Sequence, residues 1–488
     1  MASVKKNYIY NLIAQLLGII LPVITTPYVT RVLGNENLGI FNYIQSIINY
    51  FILFGCIGLN TYGQREIAFH KHDRKRQSET FWELMIIRVI TISTSSLLYW
   101  QCIVKSSDYP LCYSIMGIEL FAALCDVSWF LQGNENFKSQ AIRTIVTRLI
   151  GLACIFLFVR TKEDLYLYIL CCSGSILIGN LSLIPYLKKH LQPVRLKDLH
   201  PFHHIVPTLS MFLPQIALNV YTQLDKTMLG LLTNHDYDAV GFYSQAEKIV
   251  KIVMTIVTSL GAIMLSRVSV AVAQEDEKLV KSYVNRSFQF MYFLAWPITI
   301  GLAAIASDFV PWFFGPNYEP VIRYIAMLSP LVLIIGSNSI FGINFLLPTN
   351  RMGVYTGSIF IGMLTNLVCN FLFIPRFGVT GAVCGTLLAE ANVLLSEFIA
   401  LRHEFKASII LHGTKNAIAS IVMGATVLFL SRYLPPTIWA TIVEAAVGAI
   451  VYFLLLFLFK DTFFRKEILS IVQREMAQIL QRFSKKKE

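Results

Sequence analysis

Charged residues are scarce in this chain: they make up 14% of its 488 residues, whereas hydrophobic residues make up 55% and the mean hydropathy is +0.59. Soluble globular domains carry about 25% charged residues. The shortage of charge therefore excludes a soluble globular protein and predicts an all-α polytopic membrane protein. The nine cysteines include no pair with CxxC spacing, so we interpret them as small apolar packing residues.

Sequence signals for covalent chemistry are also missing. No segment has the form GxxxxGK[ST], and no polar stretch is long enough for a nucleotide-binding domain, so we expect no ATP hydrolysis. No triad or paired-carboxylate motif is evident, and we expect neither an enzyme nor a cofactor. The run His200–His204 has metal-ligating residue types, but it contains a proline and no acidic or cysteine partner at ligand spacing. That pattern favours a solvated loop without a metal.

Apolar runs of about 20 residues, the length that crosses a bilayer, follow one another along the chain. We place about fourteen transmembrane helices at residues 8–30, 38–60, 84–104, 111–131, 141–159, 165–187, 205–232, 241–265, 287–306, 321–347, 354–374, 381–401, 414–433 and 438–459. Lysine and arginine concentrate in the loops on the N-terminal side, such as 71–76 and 188–197. The positive-inside rule therefore predicts that both termini lie in the cytoplasm. This topology accounts for the net charge of +12 without nucleic acid as a partner.

A duplication is visible beneath the helix pattern. The segment Leu38–Tyr43 after the first helix resembles Val240–Gln245 after the seventh, and both of those helices contain two prolines. Proline-interrupted membrane helices are typical of the walls of a cavity. We predict two pseudo-symmetric six-helix lobes at residues 1–190 and 191–403, two additional helices at 404–460, and a basic amphipathic tail at 461–488 that lies on the inner leaflet.

Ionisable residues at membrane depth are costly, so they usually face a polar cavity. In the first half these are mainly arginines, Arg31, Arg88, Arg143 and Arg148, accompanied by Asp126, which we place on one face of the fourth helix with Glu119. Arginine binds phosphate oxygens in bidentate fashion, so the four arginines are candidates for binding a pyrophosphate. For the first-turn residues Arg88 and Arg143, a second interpretation stays open, in which they reach out to lipid phosphates.

The second half carries adjacent opposite charges, Asp225 with Lys226 and Glu247 with Lys248, followed by Glu390. Adjacent residues on a helix point about 100° apart, so we expect their partners on neighbouring helices. These residues are candidates for coupling to H⁺ or Na⁺ or for a charge network between lobes. Inert structural salt bridges are the alternative.

Several motifs resemble those of Wzx-type flippases of the multidrug/oligosaccharidyl-lipid/polysaccharide (MOP) superfamily. They are Asp126–Lys138, Leu224–Gly230, Val240–Val250 and Ile374–Ala382. The first of them adds Trp129 and Gln132 to the candidate glycan-binding residues. The sequence departs from the family at Ser266, where proline is usual, and at Asn344, where glutamine is expected, which bears on glycan preference.

The resemblance implies a transporter that moves undecaprenyl-pyrophosphate-linked oligosaccharide units to the outer leaflet by alternating access, for capsule, teichoic acid or another surface polymer. Its expected partners are the lipid-linked glycan, membrane lipids and a polysaccharide polymerase. Two alternatives stay open at this point. One is an ion-coupled drug or metabolite exporter of the same superfamily, which the arginines disfavour because they repel cationic drugs. The other is a non-transporting scaffold for a glycan assembly complex, which leaves the charges at membrane depth unexplained.

Overall fold

The computed structural model describes residues 2–259, 261–405, 413–461 and 463–469. All regular elements in these residues are helices, as the composition predicts. Clustering of the chain by proximity divides it into two compact units, Met1–Ser244 and Gln245–Glu488. This division does not coincide with the predicted repeat boundary at residue 190, because the helices of residues 205–244 pack with the first unit.

The first unit contains eleven helices or parts of helices in its described residues. They are α1 (Ala2–Cys56), α2 (Leu59–Phe69), α3 (Arg74–Cys102), α4 (Pro110–Met116), α5 (Ile118–Leu124), α6 (Ser128–Gly133), α7 (Phe137–Phe158), α8 (Leu165–Leu181), α9 (Ile184–His190), α10 (Ile205–Leu232) and the start of α11 (Tyr237–Thr258). α1 covers the first two predicted helices, which join at Gly34 with φ 79°. A glycine is required there because other residues rarely adopt that φ.

The predicted fourth helix is interrupted. α4, α5 and α6 are separate, and the chain leaves the helical conformation between Leu124 and Ser128. Glu119 and Asp126 therefore do not share one helix face, since the seven-residue spacing argument needs an unbroken helix. The break instead exposes the backbone of Asp126 to a neighbouring side chain, as described below.

The duplicated segments meet inside the first unit. A β-carbon built on Gly39 would lie 1.7 Å from the carbonyl oxygen of Tyr237, and one built on Gly241 would lie 2.5 Å from that of Asn35. The Asn35 amide also donates to the backbone and side-chain oxygens of Asp238, both at 2.8 Å. The two matching glycines thus allow α1 and α11 to cross at backbone contact, as small residues do between membrane helices.

The second unit contains the remainder of α11 and eight further helices in the described residues. They are α12 (Gly261–Ala273), α13 (Glu277–Phe314), α14 (Glu319–Leu328), α15 (Leu331–Phe341), α16 (Met352–Phe377), α17 (Val379–Leu401), α18 (Thr414–Ser431) and α19 (Ile438–Leu458). A π-helical turn, Gly342–Leu346, follows α15. α13 packs against α18 and α19 around Phe293, Met423 and Tyr452.

Eleven helices in the described residues are long and apolar enough to cross a membrane, and a bent pair, Pro201–Leu213 with Gln215–Leu232, raises the number to twelve. The predicted count of fourteen is therefore approximate. The first candidate, Ile20–Phe69, has 50 residues, enough for two passes of about 20 residues each. The predicted amphipathic tail lies largely outside the described residues.

Candidate functional site

The site begins with Arg88 on α3, which is only 1% exposed. Its guanidinium donates to the carbonyl oxygen of Asp126 at 2.6 Å and to Oδ1 of Asn60 at 2.6 Å. Burial at this level excludes the interpretation in which Arg88 reaches out to lipid phosphates. Arg88 instead supplies the donors that a broken helix needs, since the carbonyl of Asp126 lies where helical bonding stops.

The turn at Asp126 is fixed by its own neighbours as well. Its Oδ1 accepts from the backbone N–H of Ser128 at 2.9 Å, and its carbonyl also accepts from Nε1 of Trp129 at 3.2 Å. Trp129 is 2% exposed and stacks on Phe81 with ring centroids 5.5 Å apart. In this conformation Trp129 is a packing residue that holds the turn, and its ring is not available to a sugar.

Arg143 and Arg148 lie one to two turns apart on α7. Arg143 is half-buried, and its charged neighbours are Asp126 and Arg148. Arg148 is exposed, and its guanidinium lies over α1 at Gly18, where a β-carbon would come within 2.6 Å of Nη1. The structure thus brings together five of the seven predicted phosphate-site and glycan-site residues, namely Arg88, Asp126, Trp129, Arg143 and Arg148.

The two remaining predicted residues of this group are Arg31 and Gln132. Arg31 is exposed on α1, and its guanidinium donates to the carbonyl oxygen of Pro27 at 2.8 Å. Gln132 is half-buried on α6. Arg31 and Arg148 are therefore the arginines of the predicted site whose side chains are exposed.

The acid Asp225 on α10 is 4% exposed, and its Oδ2 accepts from the hydroxyl of Tyr243 on α11 at 2.6 Å. This contact lies within the first unit and satisfies the expectation of a partner on a neighbouring helix. Lys226, beside it, is half-buried.

Glu247, unlike Asp225, has an ion-pair partner on its own helix. It is 8% exposed and lies 2.5 Å from Nζ of Lys251, one turn further along α11. The sequence predicts partners for Glu247 on another helix, whereas the structure shows this i,i+4 pair within α11. Lys248 is half-buried, and Glu390 on α17 accepts from Nδ2 of Asn338 at 2.7 Å.

Four buried acids of the second unit, Asp308, Glu397, Glu444 and Asp461, were not predicted as site residues from the sequence. Glu397 is fully buried on α17, where Oε1 accepts from Ser358 at 3.1 Å. Glu444 on α19 is fully buried beside Asp308 on α13. Neither carboxylate oxygen of Glu444 has a hydrogen-bond donor among the described residues. The available signal was an acid inside an apolar run, which marks a costly position but not its partner.

Comparisons with known proteins identify the family of the chain. The model of the family described as "Polysaccharide biosynthesis protein" matches residues 4–265. The "Putative O-antigen transporter" of Escherichia coli (strain K12) is 23% identical over 404 residues, covering 80% of this chain and 95% of that protein. The "Probable low-salt glycan biosynthesis flippase Agl15" of Haloferax volcanii is 20% identical over 414 residues, covering 83% and 86%.

Solved structures establish the fold. The lipid II flippase MurJ in an inward closed conformation matches with a TM-score of 0.73 at 15% identity, covering 95% of this chain and 99% of that chain. An inward-facing multidrug resistance MATE family transporter of the MOP superfamily matches with a TM-score of 0.64 at 12% identity, covering 84% and 96%. The chain has the fold of these structures. Because the family model covers more than half of the chain, the chain belongs to the polysaccharide biosynthesis protein family, as its Wzx-like motifs predicted.

Proposed function

We propose that this chain is a flippase that moves undecaprenyl-pyrophosphate-linked oligosaccharide units from the cytoplasmic to the outer leaflet of the inner membrane by alternating access. The polymer served is a capsular or other surface polysaccharide, including teichoic acid. Family membership and relatives named as an O-antigen transporter and as glycan flippases support the substrate class.

The observation that carries the proposal is the positive charge of α7. Arg143 and Arg148 lie on a helix of membrane-spanning length and hydropathy, where an isolated cation costs a few kcal/mol. A doubly anionic pyrophosphate compensates such charges, and the planar guanidinium binds its oxygens in bidentate fashion. Arg31 contributes in the same way from α1.

Arg88 and its neighbours act indirectly in this proposal. The guanidinium of Arg88 donates to Asn60 and Asp126, and Trp129 packs against the same turn. Together they keep Asp126 close to Arg143, so that the half-buried arginine retains an opposite charge when no substrate is bound. Gln132 follows one turn later and supplies an amide for sugar hydroxyls.

The driving force comes from an ion gradient, from consumption of the product outside by a polymerase, or from both. Asp225 and Glu247 are the proposed H⁺ or Na⁺ coupling residues, and Lys226, Lys248 and Glu390 are the further charged residues proposed to contribute to this role. A change in protonation or cation binding at such acids biases the conformational equilibrium of a transporter.

Depletion of the protein in its bacterial host tests the proposal. Lipid-linked glycans are expected to accumulate in the cytoplasmic leaflet, where they resist a membrane-impermeant glycan-oxidising reagent added to intact cells. Accumulation in the outer leaflet would instead place the defect after flipping. Unchanged lipid-linked glycans, with loss of resistance to cationic drugs, would support the exporter alternative.

A further inference from the structure

Glu83 and His204 form a buried pair in the first unit. The two side chains are 1% and 3% exposed, and Oε2 of Glu83 lies 2.9 Å from Nε2 of His204. Glu83 belongs to α3, whereas His204 ends the short 3₁₀ helix Pro201–His204 that precedes α10. The two residues are 121 positions apart, so the sequence around the histidines gave no sign of an acidic partner.

A second histidine completes the group. His203 is exposed, and its ring lies over that of His204 with centroids 3.7 Å apart. One ligand atom from each of Glu83, His203 and His204 can be chosen so that all three lie within 4.8 Å of one another. Two histidine nitrogens and one carboxylate oxygen are a ligand set that zinc and related divalent metals prefer.

The remaining atoms of these side chains are held by other groups. Nδ1 of His204 lies 2.8 Å from the hydroxyl of Tyr62, and Nδ1 of His203 lies 2.5 Å from the carbonyl oxygen of His200. Oε1 of Glu83 accepts from the backbone N–H of His200 at 2.8 Å. Such outer contacts orient metal ligands. The carbonyl of His200 requires a protonated Nδ1 on His203, and the Tyr62 hydroxyl can pair with Nδ1 of His204 in either tautomer, so Nε2 of each ring can bind the metal.

We propose that Glu83, His203 and His204 bind one divalent transition-metal ion of the zinc class. The metal takes the place of the hydrogen shared by Glu83 and His204, and water completes its coordination. Tetrahedral zinc needs ligand atoms about 3.4 Å apart, which the buried pair nearly satisfies and the exposed His203 reaches by rotation of its side chain. The charge of Glu66, which acts on His204, adds to the attraction for a cation.

The metal ties the connection between α9 and α10 to α3. Besides the Glu83–His204 pair, that connection contacts α3 at two further points, because Ser78 accepts from the N–H of Gln192 at 2.9 Å and Glu83 accepts from that of His200. A metal ion would therefore strengthen an existing attachment at the start of α10, the helix that carries Asp225. The proposal concerns metal binding and does not depend on the transported substrate.

Zinc titration of the purified full-length chain in detergent, followed by calorimetry and by metal analysis after gel filtration, tests the proposal. We expect one zinc ion per chain in the wild type and at least tenfold weaker binding in His203→Ala, which should fold because His203 is exposed. His190→Ala is the matched control, since His190 also bonds a nearby carbonyl through Nδ1 but lies outside the group. It should bind zinc as the wild type does.

X-ray absorption of the zinc-loaded wild type gives a second readout, with two imidazole ligands expected in the first coordination shell. Absence of stoichiometric zinc from the wild type would overturn the proposal and leave a hydrogen-bonded Glu83–His204 pair. Equal zinc affinity in the wild type and His203→Ala would also overturn it. Both results would leave the flippase proposal untouched, because neither measures transport.

Discussion

The two compact units differ in the charges that they bury. In the first unit, Arg88 donates to two oxygen acceptors, and the acids Glu119 and Asp225 accept from side-chain donors within the same unit. In the second unit the buried charged residues are all acids among the described residues, namely Glu247, Asp308, Glu397, Glu444 and Asp461.

The partners of these buried groups differ as well. Glu444 faces Asp308, and the two Glu444 oxygens and Oδ2 of Asp308 have no donor among the described residues. A guanidinium stays charged at all relevant pH values, so burying it requires fixed acceptors. A carboxyl group can take up a proton or a cation, so an acid can be buried without a fixed partner. The first unit thus buries a cation together with its acceptors, whereas the second buries two acids that face each other.

Replacing Arg88 by methionine should give the largest effect, because it removes both hydrogen bonds of the buried guanidinium. One of them goes to the exposed Asn60, and the other goes to the carbonyl of Asp126, which keeps only Trp129 as a side-chain donor. Hydrogen bonds to a charged group contribute about 1.5 to 3 kcal/mol each, and water can replace the one to Asn60, so we expect the free energy of unfolding to fall by about 2 to 3 kcal/mol. Thermal unfolding in detergent measures it, with the exposed Arg160→Met as the matched control. Equal stability of the two variants would show that the buried arginine is not a structural requirement of the first unit.

Replacing both Arg31 and Arg148 by alanine should abolish function without unfolding the protein, since both side chains are exposed. Losing charge-assisted bonds to phosphate costs about 1.5 to 3 kcal/mol each, which corresponds to more than tenfold weaker binding. Surface polymer should fall at least tenfold at normal protein level, and lysine should rescue poorly because it lacks the bidentate fork.

Arg160→Ala is the control for removal of an exposed positive charge, two residues past the end of α7. This variant should export polymer normally. Wild-type export by the double alanine variant would remove Arg31 and Arg148 from the phosphate site. The contrast between the two units would then concern stability alone.

Replacing the proposed coupling acids, Asp225 and Glu247, should have a smaller effect on transport, which appears only under an imposed ion gradient. In proteoliposomes with an imposed proton or sodium gradient, wild-type transport should accelerate, and Asp225→Asn or Glu247→Gln should lose that acceleration while retaining basal transport. Insensitivity of the wild type to both gradients would exclude ion coupling. Variants that respond like the wild type would leave these two acids with a structural role.

Replacing Glu444 by glutamine should have the smallest effect and the opposite sign from Arg88. The new amide nitrogen can donate to Asp308, so we expect the free energy of unfolding to rise or to stay within about 0.5 kcal/mol of the wild type. Thermal unfolding under the same conditions as for Arg88→Met measures it. A fall of more than about 2 kcal/mol in the free energy of unfolding would show that this acid contributes as much to stability as Arg88 does.

Much of the helix pattern could be predicted from the sequence because about 20 consecutive apolar residues have few other stable states in a bilayer. The helices at residues 205–232 and 438–459, for example, correspond to α10 and α19 almost to the residue. The break after Leu124 was missed, because residues 125–127 carry no proline or glycine and the turn depends on Arg88, 38 positions away.

The candidate site could likewise be predicted from the sequence only in part. The types of its residues follow from the sequence, since an arginine within an apolar helix marks a polar environment wherever its partners lie. The motif with Trp129 also indicated the family, but not that Trp129 would be buried against Phe81. Which groups meet depends on contacts between distant helices, and helical spacing within one segment cannot specify them.

The sequence by itself determined that this chain is a helical membrane protein of the polysaccharide biosynthesis family, because hydropathy and local motifs act over a single helix. Only the tertiary structure decided that Arg88 is a buried anchor and that Glu83 joins His203 and His204. These pairings join α3 to segments far along the chain, and their free energy arises only when packing removes water from both partners.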